Sequence, residues 1–257
     1  MLTVAASDST ALAHALDAEF RPLRPAERLA LLRQRVPGRI VFTTSFGLED
    51  QAITHLIAEA GLMIELATLD TGRLFPETYD LWAETERRYG LKIRACYPDA
   101  EALEALVAET GIDGFYHRPE WRQACCGVRK MVPLGRALVG AAGWVAGLRA
   151  DQSGHRSVVP FVGFDAGRRL IKANPLLDHT REEIAAFAAA RGVPINRLHG
   201  RGFLSIGCAP CTRALLPGEP ERAGRWWWEA DVRKECGLHV APDGRLTRAH
   251  EPGAVTP

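Results

Sequence analysis

Residues 39–46 read R-I-V-F-T-T-S-F, a β-branched and aromatic run. The chain then turns through S-F-G-L-E-D into Q-A-I-T-H-L-I-A-E-A, where apolar residues take helical spacing. This strand, glycine turn and helix recurs along the chain, and the recurrence is what most limits its fold. I-E-L-A-T-L-D at 64–70 reads as a second strand, followed by T-G-R-L-F-P-E-T and a helix through about Tyr89. Lys92–Tyr97 reads as a third strand, 101–109 as a helix, W-V-A-G-L-R at 144–149 as a fourth strand, and Leu170–Ala173 as a short fifth. Residues 25–35 are helical, with Pro25 in the first turn. Residues 180–191 form a helix with Thr180 as N-cap and Glu183 placed for a capping box. Strands alternating with helices specify an α/β fold with a doubly wound, mostly parallel sheet, and such sheets bind ligands at the carboxyl ends of their strands.

The 257 residues suffice for one large α/β domain or two small ones. The formal net charge of +1 provides no basic field for nucleic acid, so anion binding must be local. The N-terminus lacks the basic and apolar regions of a signal peptide, and the longest nearly apolar stretch, about Ala137–Leu148, is too short to span a bilayer. A cytoplasmic protein with no membrane contact is expected. From about Pro217 the periodicity fades, which divides the chain into an α/β domain at 1–216 and a mobile C-terminal tail at 217–257.

Polar residues gather at the expected strand ends. Ser45 and Gly47 stand at a strand-to-helix turn that can offer amides to a phosphate, although Glu49 and Asp50 oppose a bare anion site unless they point elsewhere. The turn is neither a G-x-G-x-x-G nor a Walker A sequence, and a plain capped βα turn is the alternative. In L-D-T-G-R, Leu69, Asp70, Thr71, Gly72 and Arg73 close the second strand. Asp70 can bond a ribose hydroxyl or adenine and Arg73 a phosphate; the alternative is an Asx-type turn beside a surface arginine. After the fourth strand, Arg149, Gln152 and Arg156 favour an anionic ligand over a merely charged loop.

Four cysteines form two pairs. Cys125 and Cys126 are adjacent, and Cys208 and Cys211 form a C-x-x-C; 208 minus 126 puts 82 positions between the pairs. Four thiolates suit tetrahedral zinc or a [4Fe–4S] cluster, with buried free thiols as the plain alternative. Adjacent cysteine side chains diverge, which strains a single ion and suits the separate corners of a cubane. Lys130 follows closely. Cys96 sits in a strand and reads as core. Cys236 is different: it lies in K-E-C-G-L-H, between Lys234 and His239, with Arg222 and Arg225 upstream. Nearby cations lower a thiol's pKa, so Cys236 reads as a nucleophile. The three tryptophans at 226–228 cannot all face one core.

Together S-F-G-x-E-D, L-D-T-G-R-L-F-P-E-T-Y, C-C-x-x-R-K, R-x-x-Q-S, K-x-N-P-L, S-I-G-C-x-P-C-T, G-R-W-W-W-E and K-E-C-G-L-H resemble, in order, the assimilatory adenylyl-sulfate reductases, over roughly residues 40–240. These form the iron–sulfur branch of the phosphoadenylyl-sulfate reductase family. The resemblance implies an adenine nucleotide alpha hydrolase-like fold related to the ATP pyrophosphatases. It implies a [4Fe–4S] cluster on Cys125, Cys126, Cys208 and Cys211. The implied substrate is adenosine 5'-phosphosulfate, with Cys236 as attacking thiol, His239 as its helper, and Lys130, Arg149, Arg222 and Arg225 around the sulfonate. It also implies thioredoxin as reductant and a homo-oligomer. The sequence departs from the family pattern at His179, where a tryptophan is expected, and at Ala150, where a second basic residue is common. The rival readings are a 3'-phosphoadenylyl-sulfate or dual-substrate reductase, an ATP pyrophosphatase-type adenylating enzyme, and a zinc scaffold.

Overall fold

The computed structural model describes residues 6–152 and 159–229, with two short strands beyond them, Leu238–Val240 and Leu246–Arg248. The central sheet has six strands: β1 (Ile40–Thr44), β2 (Glu65–Leu69), β3 (Arg94–Cys96), β4 (Gly143–Val145), β5 (Val162–Asp165) and β6 (Leu170–Ala173). Their order is β3-β2-β1-β4-β6-β5, parallel except for β5, which runs antiparallel to β6 at the edge. Strand order reverses between β1 and β4, so the crevice beyond their carboxyl ends is the place where such a sheet binds ligand.

The helices cover the sheet because their apolar residues face it. α1 (Ala6–Phe20), α2 (Pro25–Arg35), α3 (Leu48–Glu59), α4 (Pro76–Tyr89) and α8 (Arg181–Arg191) contribute to one large cluster with Phe42, Val145 and Ile171. A smaller cluster joins α7 (Val132–Leu138) to Val41, Ala67 and Trp144 on the other face. α5 (Ala100–Thr110) and α6 (Pro119–Cys126) complete the order, and α6 runs directly into a single π-helical turn, Gly127–Met131. Wide turns of that kind recur at functional sites.

The predicted strands and helices are present, and the Thr180–Glu183 capping box forms as expected. The third and fourth strands are shorter than predicted, and beyond the fourth Ala146 to Leu148 form part of a cavity wall. α1, α6, α7 and β5 had no sequence prediction. β5 is a four-residue edge strand, and Gly127 and Pro133 interrupt the helical pattern around α6 and α7. Residues 217–229 pack onto the domain: the Trp226 amide donates to the Cys211 carbonyl at 3.2 Å, and Arg225 bridges Thr212. Among the described residues no helix is long and apolar enough to cross a membrane.

Candidate active site

A cavity of about 370 Å³ opens beyond the carboxyl ends of β1, β2 and β4. Lys130, Lys172, Arg222 and Arg225 line it, with Glu49, Asp50 and Glu221 as its carboxylates. Ser45, Gly47, Leu69 and Gln152 also line it, as expected of residues at strand ends.

The Ser45 turn differs from a bare phosphate cradle. Asp50 Oδ2 accepts from the Ser45 amide at 2.5 Å and from the Ser45 hydroxyl at 2.8 Å. The Phe46 amide donates to Thr44 Oγ1 at 3.0 Å, with Phe46 at φ 60°. Both amides are therefore satisfied within the turn. Burial pushes the Asp50 carboxyl up to about 6, against the opposing Ser45 hydrogen bonds. Glu49 points elsewhere: it accepts from Arg149 Nε at 2.7 Å and from Gln152 at 3.2 Å.

The 69–73 segment splits between two places. Asp70 Oδ1 accepts from the Gly72 amide at 2.9 Å and the Tyr79 hydroxyl at 2.8 Å, which is the Asx-type turn. Thr71 Oγ1 lies 3.2 Å from Cys208 Sγ. Arg73 donates to the Ile112 carbonyl at 2.7 Å and stacks on Phe115, beside the cysteines and away from the large cavity. Arg149 also departs from the expected contact with an anionic ligand. Its side chain is fully buried and bonded to Glu49, Asp151 and Glu221, and it is absent from the cavity lining. Burial alone would lower its pKa; Glu221 and Glu49 outweigh that and raise it. Arg156 and Cys236 lie outside the described residues. His239 is placed only by its backbone, paired with Thr247 in the short antiparallel strand pair.

The structure brings the four paired cysteines together. Cys125, Cys126, Cys208 and Cys211 line one small cavity with Arg73, Arg122, Arg129 and Lys130. α6 carries the first pair, and a 3-10 turn at Ala209–Cys211 presents the second. Burial, aided by Cys208, pushes the Cys125 thiol up, while Arg129 and Arg73 oppose. Burial, then Cys208, pushes Cys211 up to about 12, against Arg225 and Lys130. Four thiols on one cavity, Cys126 and Cys211 buried and Cys125 and Cys208 half-buried, can all be thiolates only if positive charge balances them. Among the described residues no group of three or more His, Cys, Asp or Glu side chains is arranged to hold a metal ion. Four cysteines that line one cavity together with Arg73, Arg122, Arg129 and Lys130 are the residues that could hold an iron–sulfur cluster.

Sequence reasoning missed Lys172 and the two tryptophans that shape the cavity. Lys172 is buried in β6 with Nζ 4.5 Å from the Trp144 ring centroid, and Trp226 walls the cavity at 1% exposure. The signal was present: a lysine inside the apolar run L-I-K-A has no place in a buried strand unless a cavity opens there.

Residues 39–214 match the phosphoadenosine phosphosulfate reductase domain family. The chain is 52% identical to an adenosine 5'-phosphosulfate reductase of Agrobacterium fabrum, over 93% of this chain and 92% of that one. It is 49% identical to one from Allochromatium vinosum, over 87% and 88%. A crystal structure of phosphoadenylyl-sulfate reductase from Candida auris superposes with a TM-score of 0.69 at 23% identity. It covers 82% of this chain and 99% of that one, and it shows the shared fold.

Proposed function

Because this chain belongs to the phosphoadenosine phosphosulfate reductase domain family, we propose that it reduces adenosine 5'-phosphosulfate to sulfite and AMP in assimilatory sulfate reduction. One observation carries the reading most directly: Lys130 lines both the basic strand-end cavity and the cysteine cavity. A nucleotide site and a thiol cluster share one cation there.

The substrate's sulfur is electrophilic but surrounded by negative oxygens, and the attacking thiolate is negative too. Lys130, Lys172, Arg222 and Arg225 supply the positive charge that such an encounter needs. The Cys236 thiolate attacks sulfur, the bond from sulfur to the phosphate oxygen breaks, and AMP leaves with that electron pair. Cys236 then carries an S-sulfonate. A thioredoxin thiolate attacks Cys236 Sγ, sulfite departs, and the second thioredoxin thiol resolves the mixed disulfide. His239 orients the Cys236 thiol. The two-electron reduction is complete with thiols alone.

Cys125, Cys126, Cys208 and Cys211 would hold a [4Fe–4S] cluster. When bound, the cluster supplies fixed charge behind Lys130 and a cross-link between α6 and the 208–211 turn. The chain from 217 onward is the segment that brings Cys236 to the nucleotide. We further propose a cytoplasmic homo-oligomer.

The test is sulfite release with thioredoxin from the 5'-phosphosulfate and from its 3'-phosphorylated form. A higher kcat/KM on the former is expected; preference for the latter moves the enzyme to the other branch. Cys236→Ser abolishes turnover while AMP still binds. Anaerobic protein shows a broad absorption near roughly 400 nm with about four irons per chain. One stoichiometric zinc in a colourless protein overturns the cluster.

A further inference from the structure

Trp226 links the large cavity to residues that line the cysteine cavity. It lines the large cavity, and on its other side it packs against Cys211 and Phe115. The guanidinium carbons of Arg122 and Arg225 each lie 4.7 Å from its ring centroid. Its backbone sits at φ 43°, a left-handed conformation that a bulky residue keeps only where its surroundings hold it. The buried indole Nε1 has no hydrogen-bond partner among the described residues, so the ring is held by packing rather than by its own polar group.

Arg122 provides that hold from the cysteine side. It stands on α6, three residues before Cys125, and lines the cysteine cavity. Its Nε pairs with Glu229 Oε1 at 2.5 Å, and the two side chains are 4% and 6% exposed. The Glu229 amide donates to the Trp226 carbonyl at 3.0 Å. α6, Glu229 and Trp226 thus close a ring of contacts around the left-handed residue.

Arg225 depends on that ring. It is buried, lines the large cavity, and its Nε has no hydrogen-bond partner among the described residues. Its guanidinium is confined by the Trp226 face and by Gly207, where any Cβ would collide with it.

We propose that Arg122 and Glu229 are a positioning pair: acting through Trp226, they set the orientation of Arg225 in the substrate cavity. Neither residue touches the large cavity. The proposal rests on reading that cavity as the nucleotide site, with Arg225 serving the phosphate.

The iron-loaded full chain is titrated with AMP and with adenosine, which lacks the phosphate. Glu229→Gln keeps an acceptor opposite Arg122 Nε but removes the carboxylate charge that faces the arginine there. The double variant R122M/E229L replaces the buried pair with apolar side chains, a change that restores stability lost by breaking such a pair. The expected result is AMP affinity about tenfold weaker in both variants. Adenosine affinity stays within about twofold, the visible spectrum per iron is unchanged, and the double variant melts near the wild-type temperature. A purely structural pair makes AMP affinity follow the melting temperature, with recovery in the double variant. That result, or wild-type AMP affinity in Glu229→Gln, overturns the proposal. A wild type that binds AMP no better than adenosine overturns the nucleotide reading itself, and this proposal with it.

Discussion

Asp50 and Ser45 form a closed pair: one carboxylate oxygen accepts both the amide and the hydroxyl of the serine five residues earlier. The carboxyl is buried and pushed up to about 6 from an ordinary 3.8. A raised carboxyl pKa means that the folded state binds the proton more tightly than the unfolded chain. Its stabilising contribution is present below about pH 4 and lost as pH rises through about 6. The shift corresponds to about 3 kcal/mol. Asp50→Asn keeps an acceptor for Ser45 and removes that titration. The variant should melt higher than wild type at pH 8 and show a flatter profile between pH 4 and 7. Unchanged pH dependence in thermal melts would remove Asp50 as its source.

Gly207 faces the Arg225 guanidinium so closely that a Cβ cannot be added without moving the arginine. The obstructed atoms are the far end of a flexible side chain, so Gly207→Ala should fold with only a small loss of melting temperature. Displacing a buried charged donor from the phosphate removes about 1.5–3 kcal/mol of binding. AMP affinity should therefore fall by about tenfold or more, read by calorimetry. Wild-type affinity would show that Arg225 does not serve the phosphate in this geometry.

Arg149 holds Glu49, Asp151 and Glu221 around one buried guanidinium. Arg149→Met leaves Glu49 buried without its ion-pair partner. The expected loss is about 3 kcal/mol of unfolding free energy in denaturant titrations, because the surviving charges lose their compensation. A variant with wild-type stability and weakened substrate binding would instead return Arg149 to the anion-binding role that its sequence context suggested.

Lys172 contributes charge at the end of the cavity near Trp144. Lys172→Met keeps apolar contact with the indole and deletes the charge. KM for the sulfonucleotide should rise about tenfold with kcat within about threefold, as for a group that binds ground and transition states alike. An unchanged KM would remove Lys172 from the substrate site.

The order of strands and helices was legible in the chain because local spacing and turn residues report burial directly. The Thr180–Glu183 capping box and the Pro25 start of α2 are local too, and both formed as read. The two cysteine pairs were visible as short motifs, and the fold brings them to one cavity. Less legible were polar side chains whose partners lie far along the chain. Asp70 and Arg73 sit at the expected strand end, but Tyr79, Ile112 and Phe115 decide what they touch. Arg122 carries no local signal of its role; its partner Glu229 stands 107 positions later and meets it in the interior.

The sequence by itself determined the α/β class, the parallel sheet, the strand-end location of the site and the two cysteine pairs. Each of these follows from periodicity or from residue types that have few alternatives. Tertiary structure alone decided which cations face the strand-end cavity and which are spent on carboxylates. Arg149 and Arg225 are both buried arginines, yet one is saturated by three acids while the other has an Nε with no partner among the described residues, beside the cavity. The difference arises because a long charged side chain finds its partner through space, and no local pattern in the chain encodes where Glu221 or Gly207 will stand.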